Sequence, residues 1–76
     1  MKNVNIRLST IADVQDFVSI VAKSDSDIDL QSGRYVVDAK SILGIFSLNL
    51  LEPIQMTVYG DNADDVLATL DRFIVK

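Results

Sequence analysis

The sequence predicts an α+β fold in which one antiparallel sheet is covered on one side by helices. Four short stretches alternate apolar and polar residues, which is typical of strands that bury one face. Three other stretches place apolar residues at helical spacing. They follow each other in the order β-α-β-β-α-β-α, and two layers are the economical way to bury every apolar face.

The N-terminal residues predict a strand followed by a helix. Val4, Ile6 and Leu8 alternate with polar residues, as in a half-buried strand. Ser9 and Thr10 then offer hydroxyl groups for the N-cap of a helix. Apolar residues recur in this helix at Ile11, Val14, Phe17, Val18 and Val21. The helix should end in the polar cluster 24–27, whose residues are poor helix formers.

A hairpin and a second helix are predicted next. Ile28 and Leu30 restart the alternation, Ser32 and Gly33 supply a turn, and 34–39 form the second hairpin strand. The following helix should run from Ser41 to about Leu50, because Pro53 prevents easy continuation. Its inward-facing residues are predicted to be Ile45 and Leu48.

The last strand and helix complete the predicted sheet and its cover. Ile54, Met56 and Val58 alternate with polar residues, and an acidic helix start at 61–65 follows Gly60. The apolar stripe of this third helix is Val66, Leu67, Leu70, Phe73 and Ile74. The polar face of the sheet should be exposed to water, which antiparallel sheets tolerate. Its side chains are those of Asn5, Asp29, Gln55, Thr57 and Tyr59.

Composition excludes several classes of function. The 76 residues, 1–76, form a single domain and contain no cysteine and no histidine, which removes disulfides, thiolate metal sites and the commonest general base. The net charge is −4 and the seven basic residues are scattered, so nucleic acid is not an expected partner. No signal-like or membrane-spanning apolar run is present, which predicts a cytoplasmic location and no membrane partner.

The sequence offers no catalytic or metal-binding constellation. Its three glycines are isolated, so there is no phosphate-cradling loop. Asp25, Asp27 and Asp29 superficially resemble a calcium loop, but Leu30 stands where that loop needs glycine and Glu52 is the only glutamate. We therefore expect no enzyme activity, no metal and no cofactor.

The segment 40–48 combines a cap residue with apolar residues on more than one helix face. The Ser41 hydroxyl could cap backbone N–H groups. If Ile45 and Leu48 face the sheet, the large side chains left to point elsewhere are those of Ile42, Leu43 and Phe46. Such an apolar surface on a small domain often binds a protein. In the alternative, this short helix is tilted and mostly covered by the core.

This segment, Lys40-Ser41-Ile42-Leu43-Gly44-Ile45-Phe46-Ser47-Leu48, is similar to the regulatory-serine motif Lys-Ser-Ile-Met-Gly-X-Met-Ser-Leu of the HPr family. HPr proteins are phosphocarriers of the sugar phosphotransferase system. The predicted order of elements also matches the open-faced β-sandwich of that family, with four antiparallel strands and three helices on one face. The resemblance covers essentially the whole chain.

The chain departs from the family at the phosphocarrier loop, which has the form Gly-X-His-Ala-Arg-Pro-Ala. Its place is held by 8–14, and counting back from Ser41 puts Thr10 near the histidine position and Ala12 near the arginine. A threonine hydroxyl would form a stable phosphate ester instead of a transferable phosphoramidate, and Asp13 would repel phosphate. The resemblance therefore implies an HPr-like chain that cannot carry phosphohistidine.

The resemblance leaves the regulatory serine as the functional candidate. It implies that Ser41 is phosphorylated by HPr kinase/phosphorylase and that a transcriptional regulator is a further protein partner, in bacterial carbon catabolite regulation. A family paralogue, the catabolite repression HPr, has likewise lost its histidine. The predicted partner-binding residues are Lys40, Ile42, Leu43 and Phe46. Two copies could also pair through the apolar helix as a homodimer. In the alternative, the chain is a structural or small-molecule-binding relic in which Ser41 is only a helix cap.

Overall fold

The computed structural model describes residues 1–75 and confirms the predicted α+β order. Its elements are β1 (Lys2–Ile6), α1 (Ile11–Val21), β2 (Ile28–Ser32), β3 (Tyr35–Asp38), α2 (Ile42–Phe46), β4 (Ile54–Val58) and α3 (Ala63–Thr69), followed by a 3-10 turn at Asp71–Phe73. None of the helices in this described range is long and apolar enough to span a membrane.

The four strands form one antiparallel sheet in the order β1-β4-β2-β3. Met56 lies at its centre, opposite Val4 of β1 and Leu30 of β2. Side chains directly opposite each other share a face, so the alternating apolar residues of the strands all reach the same layer. The three helices cover this face, as predicted for an open-faced sandwich.

The core lies between the sheet and the helices. Its largest fully buried side chain is Phe17 of α1, whose ring contacts that of Phe73 edge-to-face at a centroid distance of 5.6 Å. Leu8 is also buried but lies beyond the end of β1, whose pairing with β4 stops at Ile6 and Ile54. The N–H of the intervening Arg7 donates to the carbonyl of Phe73. The core therefore reaches from the first helix to the C-terminal turn.

Two predicted elements in the middle of the chain have wrong boundaries. Arg34 lies outside β3, because the hairpin turns through Gly33, whose φ of 59° is a left-handed conformation that glycine adopts without strain. Ala39 also lies outside β3, which ends at Asp38. Helix α2 ends at Phe46 and does not reach Leu50. It tightens at its end, where the N–H of Ser47 donates to the Gly44 carbonyl three residues back.

The third helix is also shorter than its apolar stripe. It ends at Thr69, and Phe73 lies in the 3-10 turn, while Ile74 pairs with Ile6 of β1 in an isolated bridge. Asn62 precedes the helix but makes no capping bond. Its Oδ1 instead accepts a hydrogen bond of 2.6 Å from the hydroxyl of Ser26, which ties the start of α3 to the loop before β2.

The uncovered face of the sheet is polar, as predicted. The hydroxyl of Thr57 donates to Asn3 Oδ1 at 2.6 Å, and the phenol of Tyr59 donates to Asp29 Oδ2 at 3.3 Å. Partial desolvation, and then the negative charge and hydrogen bond of Asp29, raise the pKa of Tyr59 above its usual value. Tyr59 therefore remains a neutral hydrogen-bond donor at physiological pH.

Candidate functional site

Ser41 lies in a loop that Asp38 organises from the end of β3. The Ser41 N–H donates to the Asp38 carbonyl at 3.0 Å, and the Lys40 N–H donates to Asp38 Oδ1 at 2.8 Å. Ser41 is exposed and is the N-cap residue of α2, since its Oγ accepts the N–H of Gly44 at 3.2 Å. The predicted cap is thus confirmed, and the hydroxyl stands at the surface.

Gly44 is packed too closely for a side chain to be added freely. A Cβ atom at this position would lie 3.1 Å from the Cβ of Val37 and 3.2 Å from the Oγ of Ser41. The Gly44 carbonyl also accepts the hydroxyl of Ser47 at 2.6 Å. The glycine of the motif therefore allows α2 to approach β3 while Ser41 caps the helix.

The substitution Gly44→Ala is expected to lower the free energy of unfolding by about 1 kcal/mol. Alanine favours the helix by up to about 1 kcal/mol, but the added methyl group crowds Val37 and displaces the Ser41 cap, and each effect costs about that amount or more. Urea denaturation of Gly44→Ala, Ser41→Ala and the double variant measures the coupling. Strictly additive effects would show that the methyl group does not disturb the cap.

The side chain of Lys40 has a specific hydrogen-bond partner within the protein. Its Nζ donates to the backbone carbonyl of Ser24 at 2.8 Å, in the loop that follows α1. The ammonium group therefore joins the loop before Ser41 to the end of the first helix. Lys40 was predicted as a partner-binding residue, and in the free protein its charge has this internal role.

Helix α2 presents two large apolar side chains to solvent. Ile45 and Leu48 are buried, as predicted, whereas Leu43 and Phe46 are 81% and 42% exposed. Ile42 is half-buried and packs against the core. We call Leu43 and Phe46 the α2 surface. Burial of the helix in the core thus applies in part to Ile42 but not to Leu43 and Phe46.

Thr10 is the N-cap residue of α1, and its hydroxyl is part of a reciprocal cap. Thr10 Oγ1 accepts the N–H of Asp13 at 3.0 Å, while Asp13 Oδ2 accepts the N–H of Ser9 at 3.0 Å. The Asp13 carboxylate therefore occupies the helix terminus, where the free N–H groups and the helix dipole favour an anion. A phosphate group at Thr10 would have to compete with this carboxylate.

Two arginines, which were not predicted as site residues, line an open groove beside this helix terminus. The groove is bordered by Arg7, Ser9, Asp13 and the C-terminal segment 72–75. The guanidinium of Arg72 already pairs with Asp16 at 2.9 Å and lies 4.5 Å from the ring centroid of Phe73. No local pattern could have placed Arg72 here, because the contact depends on how the C-terminus returns to β1.

The acidic segment 25–29 does not converge on one point. Among the described residues, 1–75, no group of three or more acidic side chains is arranged to hold a metal ion. Asp29 accepts the phenol of Tyr59, and Ser26 is bound to Asn62. These contacts give the segment a structural role at the entry to β2.

Comparison with known proteins identifies relatives of both the sequence and the fold. A family model described as the PTS HPr component phosphorylation site matches residues 13–76, so that Thr10 and Ala12 lie before the matched residues. HPr-C-His of Thermoanaerobacter tengcongensis is 26% identical with a TM-score of 0.82, over 95% of this chain and 89% of that one. The HPr of Bacillus anthracis is 27% identical with a TM-score of 0.75, over 97% and 94%.

A more distant likeness extends to a protein that forms an intertwined dimer. The Bacillus subtilis catabolite repression protein Crh is 20% identical with a TM-score of 0.67, over 99% of this chain and 90% of that one. Its structure shows a swapped domain. At this identity the likeness concerns the fold alone.

Proposed function

Because the chain belongs to the PTS HPr family, we propose that it is a regulatory protein-binding module of that family, controlled at Ser41. The observation that supports this proposal most is that Ser41, whose hydroxyl is exposed, caps the start of the helix that presents Leu43 and Phe46 to solvent. Phosphorylation of the hydroxyl would therefore alter the same short segment that a protein partner binds. The proposal places this activity in the bacterial cytoplasm and requires no cofactor.

Loss of the phosphocarrier chemistry supports a regulatory role. HPr proteins are phosphocarriers and not enzymes. These 76 residues contain no histidine, and the residue predicted at the histidine position, Thr10, uses its hydroxyl to cap α1. A serine or threonine phosphate is a stable ester, which suits a switch and not a carrier. Ser41 is thus the better candidate for phosphorylation.

Phosphorylation would change the start of α2 by local electrostatics. Transfer of the terminal phosphoryl group of ATP to Ser41 Oγ, with loss of the hydroxyl proton, adds nearly two negative charges at neutral pH. The Oγ atom now accepts the Gly44 N–H, and phosphate oxygens could take over this bond. The new charge would lie beside Leu43 and Phe46, so that a partner could distinguish the two states.

We expect HPr kinase/phosphorylase and ATP to label the protein once, on Ser41. Mass spectrometry after digestion locates the phosphate, and Ser41→Ala should abolish it. Ser47→Ala is the matched control, because Ser47 is an exposed serine at the other end of the same helix. Absence of label on Ser41, or full labelling of Ser41→Ala, would contradict the proposal.

A second candidate is favoured by the cap itself. If Ser41 serves only to accept the Gly44 N–H, the chain is a structural or small-molecule-binding relic of the HPr fold. Ser41→Ala would then lower the free energy of unfolding by about 1 kcal/mol, the usual cost of losing a cap. Ser41→Asp would leave every protein interaction of the chain unchanged. The phosphorylation experiment separates the two candidates, since the relic predicts no labelling of Ser41 by the kinase.

A further inference from the structure

One edge of the sheet is open and the other is partly covered. At the β1 edge, Ile74 pairs with Ile6 and the N–H of Val75 donates to the Asn5 carbonyl at 2.8 Å. Strand β3 is the last in the order at the other edge, and within residues 1–75 it pairs only with β2. An open edge offers unpaired backbone groups to another strand.

The pairing of β3 with β2 determines which groups face outward. The Ala39 N–H donates to the Ile28 carbonyl, and bonded pairs alternate along an antiparallel ladder. Val37 and Tyr35 therefore bond to β2, whereas the backbone N–H and C=O groups of Val36 and the N–H of Asp38 point outward. Val36 is 58% exposed and shares the open face of the sheet with Gln31.

Charges at the two ends of this edge lack partners of opposite sign. Asp38 lies directly opposite Asp29, an arrangement of like charges that destabilises a sheet. Two ion pairs of the described residues join Lys2 to Asp64 and Arg72 to Asp16, and neither of them includes Asp38 or Asp29. Arg34, exposed in the turn before β3, also has no carboxylate partner among residues 1–75.

We propose that β3 is a self-complementary surface through which two copies of this chain pair. The strands run antiparallel about a two-fold axis at Val36, so that the two Val36 residues exchange backbone hydrogen bonds and lie opposite each other. Arg34 of each copy then lies opposite Asp38 of the other, which satisfies both charges twice. Such an isologous contact closes on itself as a dimer with one eight-stranded sheet.

Charge also selects this register over its nearest competitor. An axis at Val37 would preserve the outward hydrogen bonds by pairing Val36 with Asp38. It would, however, place Arg34 opposite Lys40, which has the same charge. Only the register centred on Val36 joins opposite charges. The pairing residues are few, so the dimer is weak, and its exposed ion pairs make it weaker as salt concentration rises.

Sedimentation equilibrium over a range of protein concentrations tests the proposal by charge exchange. Arg34→Asp and Asp38→Arg should each weaken self-association at least tenfold, because each creates two like-charge contacts. An equimolar mixture of the two variants should form a heterodimer, since both contacts are then complementary. Lys23→Asp, which changes the charge equally at an exposed site after α1, should dimerise like the unmodified chain.

A second variant avoids the charged loop, because Asp38 also accepts the Lys40 N–H and Asp38→Arg could disturb folding. Val36→Pro removes the outward N–H and leaves the bonds to β2, a position that edge strands tolerate. It should also weaken association at least tenfold while circular dichroism shows a folded domain. In the unmodified chain, the amide resonance of Val36 should shift with concentration more than that of Val37.

Three results would overturn the proposal. The first is a protein that stays monomeric at concentrations on the order of 1 mM, at which a dimer with a binding free energy of about 4 kcal/mol would be half-formed. The second is a dimer that Leu43→Glu disrupts and Arg34→Asp does not, which would place the interface on the α2 surface. The third is a dimer that resists dilution for hours and is unaffected by Val36→Pro, which would indicate an exchanged segment.

Discussion

Ile45→Ala is expected to lower the free energy of unfolding by about 3 kcal/mol, within the usual range of 2–5 kcal/mol for such a truncation. Ile45 is completely buried and belongs to a helix of only five residues. A helix of this length has no stability of its own and depends on tertiary packing. In a domain of 76 residues this loss would remove a large part of the total stability.

The matched control is Leu43→Ala in the same helix. Leu43 is 81% exposed, so its truncation should change the free energy of unfolding by no more than about 0.5 kcal/mol. Urea denaturation measures both variants, with the m-value confirming that the same surface unfolds. Equal effects of the two substitutions would mean that α2 does not pack through Ile45, and the assignment of the α2 surface would fail with it.

The second large effect that we expect is a complete absence of phosphocarrier activity. Incubated with enzyme I and phosphoenolpyruvate, the chain should acquire no acid-labile phosphate. No histidine is available to form a phosphoramidate, and the Asp13 carboxylate already occupies the helix terminus beside Thr10. Radiolabelling followed by acid treatment measures the result as an all-or-none difference.

The HPr of Bacillus anthracis, one of the relatives that match over almost the full chain, is the positive control for this reaction. It should be labelled under the same conditions, and acid should remove the label. Acid-labile phosphate on any residue of the present chain would contradict the proposed loss of carrier chemistry. It would also remove the main reason for assigning function to Ser41.

Local features of the candidate site could be predicted because they involve near neighbours in the chain. Ser9 and Thr10 were predicted to offer the N-cap hydroxyl of α1 and Ser41 that of α2, and the hydroxyls of Thr10 and Ser41 each accept the N–H three positions later. The inward direction of Ile45 also followed from helical spacing. The end of α2 could not be predicted from Pro53, because the helix tightens after Phe46, well before the proline.

Contacts between distant residues were outside the reach of sequence patterns. Lys40 was predicted from its motif, but its bond to the Ser24 carbonyl exists only because the loop after α1 meets the loop before α2. Asn62 is a residue type that often caps helices, yet its side-chain oxygen accepts a hydrogen bond from the hydroxyl of Ser26 instead. In each case a contact with a residue distant in the sequence decided the role of the side chain.

The sequence by itself therefore determined the elements, their order, the buried faces of β1, β2 and β4 and the absence of histidine, because periodicity and residue chemistry act over a few positions. Only the tertiary structure decided that the order of strands is β1-β4-β2-β3 and that β3 is left at an open edge. It also decided that Leu43 and Phe46 are exposed while Ile42 is half-buried. These outcomes depend on which surfaces meet when the layers pack, and a short apolar period cannot specify that.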